Sequence, residues 1–173
     1  MTVNLFLNDY HQGHSGELAI IDFGGSLGST YMQSRKHIKS DRIHWTVVEQ
    51  KMFVEAGNKD LANEELKFFE NIKDALQYHP AQVFLLSSVL PYIQEPYRLL
   101  QEIINHGTEV IIVDRTPFLE GERDRLTLQK VPESIYNASY PAWFFNEEKM
   151  IGFFEKEYSL VSKFESNISP PYI

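Results

Sequence analysis

The 173-residue chain has no cysteine. Disulfides, thiolate zinc sites, iron–sulfur clusters and cysteine nucleophiles are thereby excluded, and the absence accords with a cytoplasmic location. Positive charge is scarce: 16 Lys and Arg face 24 Asp and Glu, a formal net charge of -8. The broad basic surface that a phosphate backbone requires is missing, so no nucleic-acid partner is expected. The start, Met1 to Asp9, lacks the basic residues and long apolar run of a secretory signal. No apolar run reaches the length of a membrane span. Asn137 and Asn167 match the glycosylation pattern, which carries meaning only after secretion. Repeats and low-complexity tracts are absent. The six histidines (His11, His14, His37, His44, His79, His106) show no ligand pair at helical spacing beside an acid. They read as surface residues, and no metal is expected.

What is present is enough for a core. Hydrophobic residues make up 43% and aromatics 13% of the chain, which fits one folded domain over 1–173. Residues 1–16 read as a polar lead-in. Strand and helix patterns then alternate. Leu18–Phe23, Ile43–Val48, Lys67–Phe69, Val83–Leu86 and Glu109–Asp114 are short apolar runs of the kind buried in parallel sheets. Helix patterns lie between them at Ser29–Ile38, Lys51–Asn63, Ile72–Gln77 and Pro96–Asn105. Pro96 suits a first turn, and Gly107 stands just past an end. Five such alternations predict an α/β fold with a mostly parallel sheet and helices on both faces. Residues 116–145 hold several prolines and charges and read as an insertion. A helix follows at Asn146–Glu155, capped by Asn146, with Glu147 and Glu148 in its first turn. Tyr158–Phe164 alternates like a strand, and 165–173 is a tail.

The chemistry-bearing segment is Asp22-Phe-Gly-Gly-Ser-Leu-Gly28. Its glycines allow a tight turn and let a ligand touch backbone, and a helix N-terminus follows with free N–H groups. The spacing departs from G-x-G-x-x-G: Gly25 takes a variable place, and Ser26 stands where the second glycine belongs. The second strand ends at Glu49, 21 residues after Gly28. A carboxylate there can accept both hydrogen bonds of a ribose diol. Asp22, two residues before Gly24, favours the cationic S-adenosylmethionine (SAM) over a pyrophosphate cofactor such as NAD. The alternative is a carboxylate that caps its own loop.

These residues match a family. The chain resembles bacterial proteins described as class I SAM-dependent methyltransferases, several of them encoded among surface-polysaccharide genes. The matching stretches are Asp22–Tyr31, Val48-Glu49-Gln50, Leu85–Leu90 with Tyr92, Asp114–Phe118, Asp124–Thr127 with Gln129, and Val131-Pro132 through Ala138-Ser-Tyr-Pro-Ala-Trp143. They cover most of the chain from about Leu18 to Glu165. The resemblance implies a Rossmann-like three-layer sandwich whose sheet has seven strands, with SAM as cofactor and S-adenosylhomocysteine (SAH) as product. It implies cofactor contacts from Gly24, Gly25, Ser26, Gly28, Glu49 and Gln50, and from Ser87 and Ser88 after the fourth strand. The last strand has no convincing counterpart after Phe164.

Methyl transfer needs an aligned acceptor and, for some acceptors, a base. Acceptor residues belong at the carboxyl ends of the fourth and fifth strands and in the insertion. Asp114 and Tyr92 are the catalytic candidates. Asp114 acts as a base or pairs with Arg115. Arg115 and Arg125 clamp an acidic acceptor or bridge Glu122 and Asp124. Gln129, Tyr136, Tyr140 and Trp143 combine flat faces with polar tips, which suits a sugar or aromatic ring. Phe144 and Phe145 read as core. The expected activity is methylation, at oxygen or nitrogen, of a small molecule or surface-glycan precursor, by a protein open to homo-oligomer formation. The rivals are an NAD-dependent oxidoreductase and a non-catalytic binding protein.

Overall fold

The computed structural model describes residue 3, residues 6–8, residue 10, residues 16–135 and residues 137–164. These residues form two compact units. The first comprises Met1–Ser87 and Asn105–Asp114, and the second Ser88–Ile104 and Arg115–Ile173.

The first unit is built on a parallel sheet of five strands, β1 (Leu18–Phe23), β2 (Ile43–Val48), β3 (Leu66–Phe69), β4 (Val83–Ser87) and β5 (Val110–Asp114), in the order β3-β2-β1-β4-β5. Reversal of direction after β3 places the crossing point between β1 and β4. Three helices connect the strands: α1 (Ser29–Ser34), α2 (Lys51–Asp60) and α3 (Ile72–Tyr78). Strand periodicity fixes their sides. Leu66 and Phe68 point one way, toward Gly28 at the start of α1 and Gly57 of α2. Phe69 points the other way, toward Tyr78 of α3, with ring centroids 5.4 Å apart. Helices therefore flank both faces. On the α1–α2 face, Leu18, Ile20, Trp45, Val47, Leu66, Phe68, Val83 and Leu85 share one core. Leu7 joins that core, fully buried, and residues 6–8 are helical. The apolar patch in the lead-in is thus a packing element.

In the second unit, a short 3-10 turn (Leu90–Tyr92) precedes α4 (Pro96–Asn105). The insertion makes a sheet of its own, from β6 (Phe118–Leu119), β7 (Arg125–Lys130) and β8 (Ser139–Asn146), in the order β6-β8-β7. β7 runs antiparallel to β8, and β6 runs parallel to it. α5 (Glu147–Phe154) follows, capped as expected by Asn146, whose side chain accepts from the Lys149 amide at 2.8 Å. Tyr97 packs edge-on against Phe145 and Phe153. Its hydroxyl donates to Asp124, which also takes Lys149 Nζ at 2.5 Å and the Asn146 amide at 2.8 Å. Burial opposes ionisation of Asp124, but the bonds from Lys149, Asn146 and Tyr97 outweigh it and lower its pKa. Burial, with the Asp124 charge, raises that of Tyr97.

Two expectations fail. Residues 158–164 form no strand: Leu160, Val161 and Phe164 are all exposed. Alternation specifies a strand only where one face is covered along its length; here Tyr158 packs on Phe154, and residues 159–164 are exposed. Among the described residues the parallel sheet also has five strands, where the resemblance implied seven, and 118–146 forms a separate sheet. Among the described residues, no helix is long and apolar enough to cross a membrane.

Candidate functional site

The glycine loop leaves β1 at its carboxyl end and enters α1. Gly24 (φ 74°) and Gly28 (φ 78°) lie in the left-handed region that a side chain disfavours. Ser26 lies there too, at φ 53°. The place where sequence spacing expects a second glycine therefore has the backbone of one, at some cost to serine. Gly28 N–H donates to Gly25 O at 2.9 Å and closes the turn.

Gly25 answers to a different constraint. A Cβ there would stand 2.6 Å from Asp22 Cγ and Oδ2. The Asp22 carboxylate lies directly beneath this glycine. It is 1% exposed, and its Oδ2 accepts from Trp45 Nε1 at 3.1 Å. Alternation puts Asp22 on the same face as Leu18 and Ile20, over which α1 and α2 pack. Asp22 thus supports the loop from inside the fold. Trp45, fully buried, is a residue the sequence reading missed; its apolar surroundings marked it only as core.

β1 and β2 pair in register through Phe23↔Val48, and Gly24 N–H donates to Val48 O at 2.9 Å. The next residues along the two strands are Gly24 and Glu49, so the loop and the acid begin side by side. Glu49 is half-buried, and its Oε2 accepts from the Gln50 amide at 2.6 Å, at the cap of α2. Gln50 itself is exposed. The two candidate groups therefore lie side by side at the carboxyl ends of neighbouring strands. In an open α/β sheet that edge is where ligands bind.

At the other side of β1, Ser87 and Asp114 are register partners at the ends of β4 and β5. Ser87 Oγ donates to Asp114 Oδ2 at 2.6 Å. Ser88, exposed at φ 61°, and Arg115, exposed at φ 48°, follow them.

In the second unit the structure gathers three of the acceptor candidates. Gln129 and Tyr140 are cross-strand partners in β7 and β8. The Tyr92 hydroxyl lies 3.3 Å from Gln129 Oε1, and its ring meets Tyr140 edge-on at 5.5 Å. Trp143 does not join them. Its Nε1 donates to Ile93 O at 3.1 Å, and its ring stacks on the buried Phe145, so it anchors the chain after the 3-10 turn. Phe145 is core as expected; Phe144 is half-buried. Arg125 is exposed and lines a cavity of about 430 Å³ with Arg123, Glu120, Glu122 and Asp124. Tyr136 lies outside the described residues, as do 165–173 and most of the lead-in.

The histidines depart from their surface reading in one case. His44 of β2 and His79 after α3 stack at 4.0 Å, half-buried beside Glu17.

No protein-family model matches the chain, and no curated protein matches it in sequence. Solved structures do match. The N-terminal domain of EvdMO1, crystallised in the presence of SAH and D-fucose, superposes with a TM-score of 0.56 at 12% identity, over 89% of this chain and 71% of that one. Mitomycin 7-O-methyltransferase MmcR gives 0.52 at 16% identity, over 90% of this chain and 48% of that one. The Burkholderia thailandensis 1,6-didemethyltoxoflavin-N1-methyltransferase, with that substrate and SAH bound, gives 0.50 at 11% identity, over 90% and 65%. At such identities the likeness is one of fold. The chain has the Rossmann-like α/β architecture of these structures.

Proposed function

We propose that the protein is a SAM-dependent methyltransferase acting on a small molecule, with a sugar or glycan precursor as the favoured acceptor class and oxygen or nitrogen as the atom methylated. The observation that carries this reading is the adjacency of the left-handed glycine loop and Glu49 at the ends of β1 and β2. When bound, SAM supplies a methyl group already activated on a sulfonium. The chain's own work is to hold and orient.

Gly24, Gly25, Ser26 and Gly28 offer backbone to the cofactor's methionine side, and Glu49 accepts from the ribose hydroxyls, with Gln50 beside it. Ser87 and Ser88 end the strand next to β1 and lie toward the adenine side of this reading. Asp22 argues against NAD. It lies beneath the loop, where an acid suits a cationic cofactor end better than a pyrophosphate. For the acceptor, Tyr92, Gln129 and Tyr140 present rings and an amide of the kind that hold a sugar, and Arg115 and Arg125 suit an acidic group. Asp114, held by Ser87, is the base in this scheme, with Tyr92 the other candidate. The EvdMO1 domain's solution with SAH and D-fucose supports the sugar reading.

Calorimetry tests the proposal. SAH should bind and NAD should not, and Glu49→Ala should weaken SAH by about 1–3 kcal/mol through lost ribose hydrogen bonds. NAD binding, or SAH binding indifferent to Glu49, refutes the reading. SAH binding with no methyl transfer across a broad acceptor screen would leave the site and remove the activity.

A further inference from the structure

We propose that Glu17, His44 and His79 form a site for a divalent transition-metal ion of the zinc class, at the opposite end of the strands from the glycine loop. Glu17 directly precedes β1. His44 is the second residue of β2, paired with Ala19. His79 terminates α3. Three segments far apart in sequence thus bring one acid and two imidazoles together within the first unit, and one ligand atom from each lies within 4.8 Å of the others.

The donor set is specific. Two imidazole nitrogens and a carboxylate are a recurrent zinc set with room for water at the fourth position. Magnesium and calcium prefer oxygen alone. All three side chains are partly open, at 28%, 36% and 27% exposure for His44, Glu17 and His79, so an ion can reach them.

The stronger argument concerns His79. Its Nδ1 lies 2.9 Å from Pro80 O, which can only accept. With Nδ1 turned to that carbonyl, Nε2 is the ring atom that faces Glu17 Oε1, at 2.5 Å. A backbone carbonyl on Nδ1–H is also the arrangement that orients a metal-binding histidine. His44 Nε2 approaches the same Glu17 oxygen at 3.3 Å, close to the separation of about 3.3 Å between two ligands of a tetrahedral ion. Glu65, the other acid that feels His44, is engaged by Arg35 and Tyr31, which leaves Glu17 as the ligand.

Binding asks for small movements. The Glu17–His79 separation must open by about 0.8 Å. The rings, now 12° from parallel, must turn about χ2 so that their lone pairs converge. The ion would tie the start of β1, the start of β2 and the end of α3, and act as a clasp remote from methyl transfer.

The test uses the untagged full chain stripped with a chelator. Zinc chloride titrated by calorimetry should bind one ion at micromolar affinity or better, and should raise Tm by roughly 5–10 °C at a hundredfold excess over Kd. Cobalt(II) should give the intense visible absorption of a four- or five-coordinate ion. His44→Ala and His79→Ala should each weaken zinc by about tenfold or more, and His106→Ala should not. Should a variant fail to fold, the wild-type cobalt spectrum decides alone: the faint band of a six-coordinate ion overturns the proposal. So does zinc binding that is absent, or that ignores both histidines; the cluster then shares a proton only.

Discussion

Gly25→Ala probes how the loop is built. The added Cβ would lie 2.6 Å from Asp22 Cγ and Oδ2 and 3.0 Å from Oδ1, so something must yield by about 1 Å to regain van der Waals contact. The backbone is not the difficulty, since Gly25 is not among the residues with positive φ. The carboxylate has little room: Asp22 is 1% exposed, and Trp45, which donates to it, is fully buried. Overpacking of this kind costs about 1–3 kcal/mol, which lowers Tm by roughly 2–12 °C in a chain of this length. SAH affinity should fall as well, because the displaced segment carries the amides proposed to face it. Asp22→Ala alone leaves the Trp45 N–H buried without its acceptor, a cost of about 1–3 kcal/mol. In the double variant the clash has no partner, so Gly25→Ala should add almost nothing to Asp22→Ala. Urea unfolding of all four proteins, with SAH calorimetry, measures the cycle. Additivity within about 0.5 kcal/mol would mean that the two residues do not meet as described.

Two further substitutions address neighbouring features. Ser26→Gly removes a left-handed serine and should be neutral to stabilising by up to about 1 kcal/mol; a clear loss of stability in urea would show that the serine side chain has a role of its own. Glu65 is gripped by Arg35, through Nε at 2.5 Å and a terminal nitrogen at 2.8 Å, and by the Tyr31 hydroxyl at 2.9 Å. Arg35 foremost, and Tyr31, hold its pKa below the usual 4.5 against the effect of burial. A lowered folded pKa stabilises above the unfolded value and is lost as pH falls through the folded one. The contribution should therefore be intact at pH 6 and fade below about pH 4.5. With side chains 35% and 26% exposed it is worth less than about 1 kcal/mol. Arg35→Met should flatten that limb of stability against pH, and an unchanged limb would dismiss the pair.

What could be read from the sequence followed from periodicity. The runs Leu18–Phe23 and Ile43–Val48 are strands with those bounds, because an apolar run closed by glycines or an acid has few other uses. The Asn146 cap and the left-handed Gly107 were equally local. Contacts between distant segments were hidden. No spacing rule joins His44 to His79, or Tyr92 to Gln129 and Tyr140. Asp22 was legible as an important acid, but its hydrogen-bond donor, Trp45, lies 23 residues away. The sheet within 118–146 escaped because its strands are partly exposed: Leu126 and Leu128 are 54% and 61% open, so the burial pattern that reveals a strand was blurred. Tyr158–Phe164 erred the other way, with the alternation of a strand but exposed residues from 159 to 164.

The backbone is unusual at one end of the sheet. Among the described residues, three non-glycine positions have positive φ: Ser26, Ser88 and Arg115. Each follows the carboxyl end of a strand, β1, β4 or β5 respectively. Left-handed conformation costs such residues about 1–2 kcal/mol, and a fold retains that cost where the chain must take a particular path. The amino ends of the same strands show no such residue among those described. There Gly16 and Gly107, at φ 143° and 70°, supply the positive φ, and added side chains would meet nothing within 4 Å. Turns that only reverse the chain use glycine in open space. At the carboxyl edge, serine and arginine take the left-handed conformation as well as Gly24 and Gly28. That asymmetry is expected if the carboxyl edge is shaped around a ligand, and it is independent of the Glu49 argument. Ser88→Gly and Arg115→Gly separate shape from side chain: if the strained path is what matters, both should keep SAH affinity while gaining stability.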